Sequence, residues 1–111
     1  MVEQETIKVL IVDDHPVVRD GLKNMLLAFD DLELIGEAEN GQEALAFCQK
    51  NSPDVILMDI IMPIMDGVLA ARAILDQYPQ MKIIMLTTYT EDDLVQASLE
   101  AGAIGYILKD T

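Results

Sequence analysis

Compact apolar runs rich in Val, Ile and Leu recur along the chain every 22 to 28 residues or so, a spacing that leaves room for a crossover helix between each pair. They are Ile7–Val12, Leu32–Gly36, Asp54–Met58, Met81–Leu86 and Gly105–Leu108. The first, third and fourth are apolar on both alternating faces, as strands buried in a parallel sheet are. The second alternates more and reads as an edge. Between the runs lie helical patterns with recognisable starts. Pro16 suits the first turn of a helix with the stripe Val18, Leu22, Met25, Leu26 and Phe29. Asn40 with Glu43 resembles a capping box ahead of Ala44, Leu45 and Phe47. Asp66 can cap a helix carrying Leu69, Ala70, Ala73 and Ile74, which Tyr78-Pro79 ends. Thr90 with Asp93 opens a fourth, containing Leu94, Val95 and Leu99, with Gly102 placed to close it. The order β-α-β-α-β-α-β-α-β, with right-handed crossovers, predicts an α/β fold with a doubly wound five-stranded parallel sheet.

Four helices for five strands leave one sheet face under-covered. The expectation is a chain whose final helix is missing, or one that borrows cover from a partner, so a homodimer stays open. Residues 1–6 read as a polar tail, and neither repeat, linker nor low-complexity segment divides residues 1–111 into more than one domain.

Composition narrows the chemistry. Twenty acidic residues against seven basic give a formal charge of -13, a field that repels a phosphate backbone and argues against direct nucleic-acid binding. Cys48, the single cysteine, has no internal disulfide partner and reads as a small core filler in a helix. The longest apolar stretch, Val55 to Met65, is interrupted by Asp59 and is too short to span a membrane, and Glu3 and Glu5 stand where a signal peptide needs positive charge. A soluble, cytoplasmic location is expected.

In an open parallel sheet, ligands bind beyond the carboxyl ends of the strands. The residues placed there are Asp13 and Asp14 after the first strand, Asp59 after the third, Thr87 and Thr88 after the fourth, and Lys109 after the fifth. Three neighbouring carboxylates repel one another unless something positive joins them. Oxygen-only ligands select a hard divalent ion, and Mg²⁺, which accepts few protein carboxylates and keeps several waters, is the natural candidate. Lys109 adds a point charge suited to phosphate. Thr87 supplies a hydroxyl for a phosphoryl oxygen, with backbone N–H groups near Thr88 in support, and Asp59 reads as a carboxylate nucleophile that accepts a phosphoryl group in line.

These residues resemble the receiver domain of two-component response regulators. The matching elements are Asp13-Asp14, Asp59 within Asp59-Ile60-Ile61-Met62-Pro63-Ile64-Met65-Asp66-Gly67, Thr87, and Lys109 preceded by Gly105-Tyr106. They cover nearly the whole chain in the right order. The wording of Val12-Asp13-Asp14-His15-Pro16, Gly36-Glu37-Ala38-Glu39-Asn40-Gly41 and Gly105-Tyr106-Ile107-Leu108-Lys109-Asp110 is similar to the NarL/FixJ (LuxR-type) subfamily, whose members join a receiver to a helix-turn-helix DNA-binding domain. Many receivers carry a proline, often cis, after the lysine; Asp110 stands there instead, and no cis bond is expected.

The resemblance implies a flavodoxin-like strand order of 2-1-3-4-5 and a set of roles. Asp59 would be the phosphoacceptor, charged by a sensor histidine kinase. Asp14, Asp59 and the backbone carbonyl of Ile61 would coordinate Mg²⁺, with Asp13 reaching it through water. Lys109 would pair with Asp59 at rest and with the phosphoryl group afterwards, and Thr87 and Tyr106 would form a switch pair. DNA would be reached only through an effector domain that this chain lacks, and no membrane is involved. Such a chain is not a conventional enzyme.

Plainer readings compete at several positions. His15 sits at a helix start, and a hard-ion site has no need of imidazole, so it stays outside the site. Asp66 reads as a cap, Glu91, Asp92 and Asp93 as a negatively charged helix N-terminus, and Tyr106 has plain packing as its alternative. Two rival functions stand beside the switch. A haloacid-dehalogenase-type phosphohydrolase needs two aspartates one residue apart after the first strand, and His15 stands where the second would be. A pseudo-receiver that binds without taking phosphate would lack part of the constellation, all of which is present. Ile61 and Tyr89 flank the path of attacking water.

Overall fold

The computed structural model describes residues 6–87 and 92–109. Five strands, β1 (Ile7–Val12), β2 (Leu32–Ala38), β3 (Val55–Asp59), β4 (Lys82–Thr87) and β5 (Gly105–Leu108), alternate with four helices, α1 (Pro16–Leu27), α2 (Gly41–Lys50), α3 (Gly67–Gln77) and α4 (Asp92–Glu100). All neighbouring strands pair in parallel, in the order β2-β1-β3-β4-β5. This is the flavodoxin-like doubly wound arrangement that the hydrophobic pattern and the resemblance anticipate.

The two sheet faces are covered unequally. Leu10, Val12, Ile56, Met58, Ile83 and Met85 are buried beneath α2 and α3, which contribute Ala44, Cys48, Ala70, Ala71 and Ile74 to the same core, with Leu94 of α4 packed against it. The opposite face carries Val9, Ile11, Leu57 and Leu86, packed against Leu22 and Leu26 of α1. Among the described residues α1 is the only helix on that side. An apolar groove of about 520 Å³ runs between α1 and β5, lined by Val17, Leu22, Met25, Leu86 and Ile107. The α1 stripe is accordingly narrower than its periodicity suggests. Met25 and Phe29 are each about half exposed, and Phe29 lies beyond the helix end at Leu27, out of helical register.

Caps hold the helix starts that position the site. Asn40 Oδ1 accepts from Glu43 N at 2.9 Å, while Glu43 reaches back to the Glu39 N–H rather than to Asn40's own. Asp66 Oδ1 accepts from Leu69 N at 2.9 Å. At the end of α4, Gly102 adopts a φ of 109°. It lets Gly102 N and Ala103 N bond the Leu99 and Ser98 carbonyls, the pairing of a Schellman motif. The expected Thr90 cap of α4 and the Asp110 peptide lie outside the described residues.

β2 runs two residues past its apolar stretch, to Ala38. Its register against β1 slips between Val9 and Leu10, leaving Ile35 as the extra residue ahead of Gly36. A Cβ at Gly36 would come within 2.4 Å of the Phe47 ring, which would have to turn aside. Among the described helices none is long and apolar enough to cross a membrane.

Candidate functional site

The carboxyl ends of β1, β3 and β5 deliver their charged residues to one place. Asp13 follows β1 and is fully buried, its N–H bonded to the Ala38 carbonyl at 3.0 Å. Asp59 ends β3 in register with Leu86 of β4, and is 5% exposed. Lys109 follows β5, where its N–H bonds the Thr87 carbonyl and extends the ladder by one step. The ammonium group is thereby brought over the acids: Lys109 Nζ lies 2.6 Å from Asp13 Oδ2 and 3.1 Å from Asp59 Oδ2. The lysine expected to rest on Asp59 spans both carboxylates and sits closer to Asp13. The expected pairing with Asp59 is present, and a second, shorter contact to Asp13 stands beside it.

Asp14 differs from its neighbours. Its Oδ1 is buried yet accepts no hydrogen bond among the described residues. His15 Nδ1 lies 3.1 Å away, but that nitrogen bonds Asp13 Oδ1 at 2.8 Å. The His15 backbone N–H bonds the same Asp13 oxygen. The histidine left outside the site by sequence therefore stands at its mouth, 3.9 Å from Asp59 Oδ2, with its ring largely exposed. One ligand atom each from Asp13, Asp14, His15 and Asp59 fall within 4.8 Å of one another. A carboxylate oxygen that is buried, unpartnered and beside others suits a hard cation, and the donor set around it is chiefly oxygen.

Electrostatics follow from burial. Desolvation raises the Asp59 carboxyl above its ordinary value, more than the Lys109 hydrogen bond and charge and the Ile61 backbone hydrogen bond lower it; nearby Asp13 adds to the rise. For Lys109, burial works against the charged form. Its hydrogen bonds to Asp13 and Asp59, together with their negative charges, outweigh it and hold the ammonium above its usual value.

The segment after Asp59 folds back to shape the site wall. Met65 N bonds Pro63 O at 2.7 Å across Ile64, a γ-turn that puts a β-branched residue at φ 69°. Gly67 N then bonds the Ile60 carbonyl at 2.7 Å, and a Cβ on Gly67 would lie 2.3 Å from the Asp59 carbonyl oxygen. Only glycine allows the backbone of α3 to press so closely on the end of β3.

Thr87 is buried at the end of β4, while Tyr106, in register with Met85, is 46% exposed. Strand alternation puts Thr87 and Tyr106 on the same sheet face. Ile61 is half exposed beside Asp59. Thr88 and Tyr89 lie outside the described residues. Asp66 caps α3, as read from the sequence. One residue that sequence reasoning passed over is Arg19 of α1, whose guanidinium donates to the Asp13 carbonyl. The only signal for it was a basic residue one turn into a helix that opens on the acidic pair.

Comparisons with known proteins agree with this geometry. The family model for the response regulator receiver domain matches residues 9–111. Response regulator protein VraR of Staphylococcus aureus is 48% identical over 106 residues, 96% of this chain and 51% of that protein. The chain spans about half the length of the curated relatives it matches, transcriptional regulatory protein YhcZ of Bacillus subtilis among them. Among solved structures, a LuxR-family two-component response regulator from Aurantimonas superposes with a TM-score of 0.91 at 29% identity, covering 96% of this chain and 76% of that one. A chain of the CheX–CheY–BeF3–Mg²⁺ complex from Borrelia burgdorferi gives 0.90 at 28% identity, covering 96% and 81%. On this family match and this kinship, the chain belongs to the receiver domains of two-component response regulators.

Proposed function

We propose that the chain is a phosphorylation-activated signalling switch in which Asp59 accepts a phosphoryl group from the phosphohistidine of a sensor histidine kinase. The observation that carries this reading is the pairing of Asp59, held 3.1 Å from Lys109, with the buried and unpartnered Asp14 oxygen beside it. One group is poised as nucleophile, and the other is a buried carboxylate oxygen suited to a hard cation.

Asp14, Asp59 and the main-chain carbonyl of Ile61 would hold Mg²⁺, with Asp13 contributing through water. The bound ion would neutralise charge on the phosphoryl oxygens. The Borrelia complex contains BeF3 together with Mg²⁺, which supports a site of this kind. An Asp59 oxygen attacks phosphorus in line. The P–N bond of the donor breaks, its electron pair goes to the imidazole nitrogen, and a P–O bond forms on Asp59. Lys109 shifts its contact from the Asp59 carboxylate to a phosphoryl oxygen, while Asp13 keeps the ammonium anchored.

Phosphorylation takes Asp59 from a charge of about -1 to about -2 and adds three strong acceptors. The Thr87 hydroxyl donates to one of them, space opens beside β4, and the ring of Tyr106 moves inward from its half-exposed position, repacking the α4–β5 surface. A coupling of about 1–3 kcal/mol suffices for such a shift. In the intact protein the output would be control of a DNA-binding transcription-regulator domain, in the cytoplasm. No separate substrate is turned over.

The test is intact mass after treatment with acetyl phosphate and Mg²⁺. Wild type gains one phosphoryl-sized increment and Asp59→Asn none. A gain that survives in the variant identifies another acceptor and overturns the reading.

A further inference from the structure

Arg19 projects from α1 with 14% of its side chain exposed and meets three acceptors on two separate segments. One Nη donates to the Asp13 main-chain carbonyl. Nε lies 3.4 Å from Glu37 Oε1, and the other Nη 3.7 Å from Glu39 Oε1, both at the end of β2. Lys23, one turn further along α1, pairs with Glu37 at 3.2 Å.

The Asp13 carbonyl belongs to the planar peptide unit that joins Asp13 to Asp14. A bond that fixes its oxygen also fixes the plane carrying the Asp14 nitrogen and Cα. This matters because the two carboxylates are held differently. That of Asp13 is locked by Lys109 and by both nitrogens of His15 that reach it. Asp14 Oδ1 has no hydrogen bond and only the largely exposed His15 ring near it, at 3.1 Å, so its backbone contributes to the direction of that carboxylate. We infer that Arg19 is a positioning residue for the cation site: it clamps the Asp13–Asp14 peptide and thereby aims the Asp14 carboxylate. Glu37 and Glu39 hold the guanidinium in turn. A planar fork serves three diverging acceptors, which a single ammonium does not. The inference rests on the reading of Asp14 as a Mg²⁺ ligand.

Mg²⁺ titration of the full chain, followed by ¹H–¹⁵N spectra, tests it with Arg19→Ala, Arg19→Lys and the double variant Glu37→Gln/Glu39→Gln, each at a temperature where its thermal melt shows it folded. Arg19→Ala weakens Mg²⁺ affinity on the order of tenfold and broadens the Asp14 amide resonance before Mg²⁺ is added. Arg19→Lys fails to restore affinity, and the double variant weakens it by a smaller factor. A folded Arg19→Ala with unchanged affinity and a sharp Asp14 resonance overturns the inference, however far its melting temperature falls. Should Arg19→Ala not fold, wild-type affinity in both other variants overturns it equally. Absence of Mg²⁺ binding by wild type is visible before any variant is compared and removes the phosphoacceptor reading along with this one.

Discussion

Lys109 Nζ stands 2.6 Å from Asp13 Oδ2 and 3.1 Å from Asp59 Oδ2, so one nearly buried ammonium serves two buried carboxylates on different strands. Each partner is costly to desolvate alone. The arrangement persists because the three groups share that cost, and because β5 delivers Lys109 through a backbone bond to Thr87. The lysine is thus a structural counterion to Asp13 as well as a candidate phosphate ligand.

Lys109→Met keeps the aliphatic stem and removes the charge. Asp13, fully buried, then loses its ionic partner and retains only His15. Breaking a buried pair in this way costs about 3 kcal/mol, expected as a lower urea midpoint at neutral pH without metal. A midpoint equal to wild type would show that Asp13 does not depend on the ammonium.

Gly67→Ala tests the close approach of α3 to the end of β3. Its Cβ would sit 2.3 Å from the Asp59 carbonyl oxygen and 2.9 Å from Ile60 Cα, both backbone atoms that cannot swing aside. A loss of about 1–3 kcal/mol is expected, with slower phosphorylation from acetyl phosphate because the strand end bearing Asp59 must shift. Unchanged stability and rate would mean that the loop from Ile60 to Asp66 gives way instead.

Much of this was legible in the sequence for a physical reason. A parallel strand buried on both faces is apolar at every position, so β1, β3 and β4 announce themselves, and their ends mark where Asp13, Asp14, Asp59 and Thr87 must converge. Where polarity and edge position mix, legibility fails: Glu37 disguises the last turns of the β2 ladder. His15 was set aside on chemical grounds, yet its ring lies among the carboxylates because helix α1 starts only one residue later. Arg19 gives little signal because its contacts are a carbonyl six residues back and two glutamates at the end of another strand. That Lys109 bridges Asp13 as well as Asp59 depends on side-chain distances that no pattern of residue types encodes.

The raised Asp59 carboxyl gives a pH dependence with a definite sign. An acid that is harder to ionise in the folded state binds more protons there than in the unfolded chain. Metal-free stability therefore falls as pH climbs from the ordinary carboxylate value of 3.8 through the higher folded value. Lys109 acts at the other end: its raised folded value makes a stabilising contribution that is complete below 10.5 and lost as pH rises through the folded value. Urea midpoints measured from pH 4 to 8 should decline in wild type and stay flatter in Asp59→Asn. A parallel decline in both would place its origin elsewhere.

Asp14→Asn separates stability from cation binding. Three carboxylates, Asp13, Asp14 and Asp59, have ligand oxygens within 4.8 Å of one another, and Lys109 compensates directly only for Asp13 and Asp59. Asp14 Oδ1 makes no hydrogen bond, so replacing it by an amide forfeits none there while removing one negative charge from a crowded site. Relief of that repulsion is expected to stabilise the metal-free protein by about 1 kcal/mol. The same change deletes a charged oxygen suited to Mg²⁺, whose binding to the folded state raises stability by mass action. Thermal melts with and without Mg²⁺ read both effects together. The variant should start from a higher melting temperature and respond little to the ion, whereas wild type starts lower and rises with it. If the variant instead melts below wild type without metal, the Asp14 carboxylate is held by a favourable contact, and repulsion is not what dominates its surroundings.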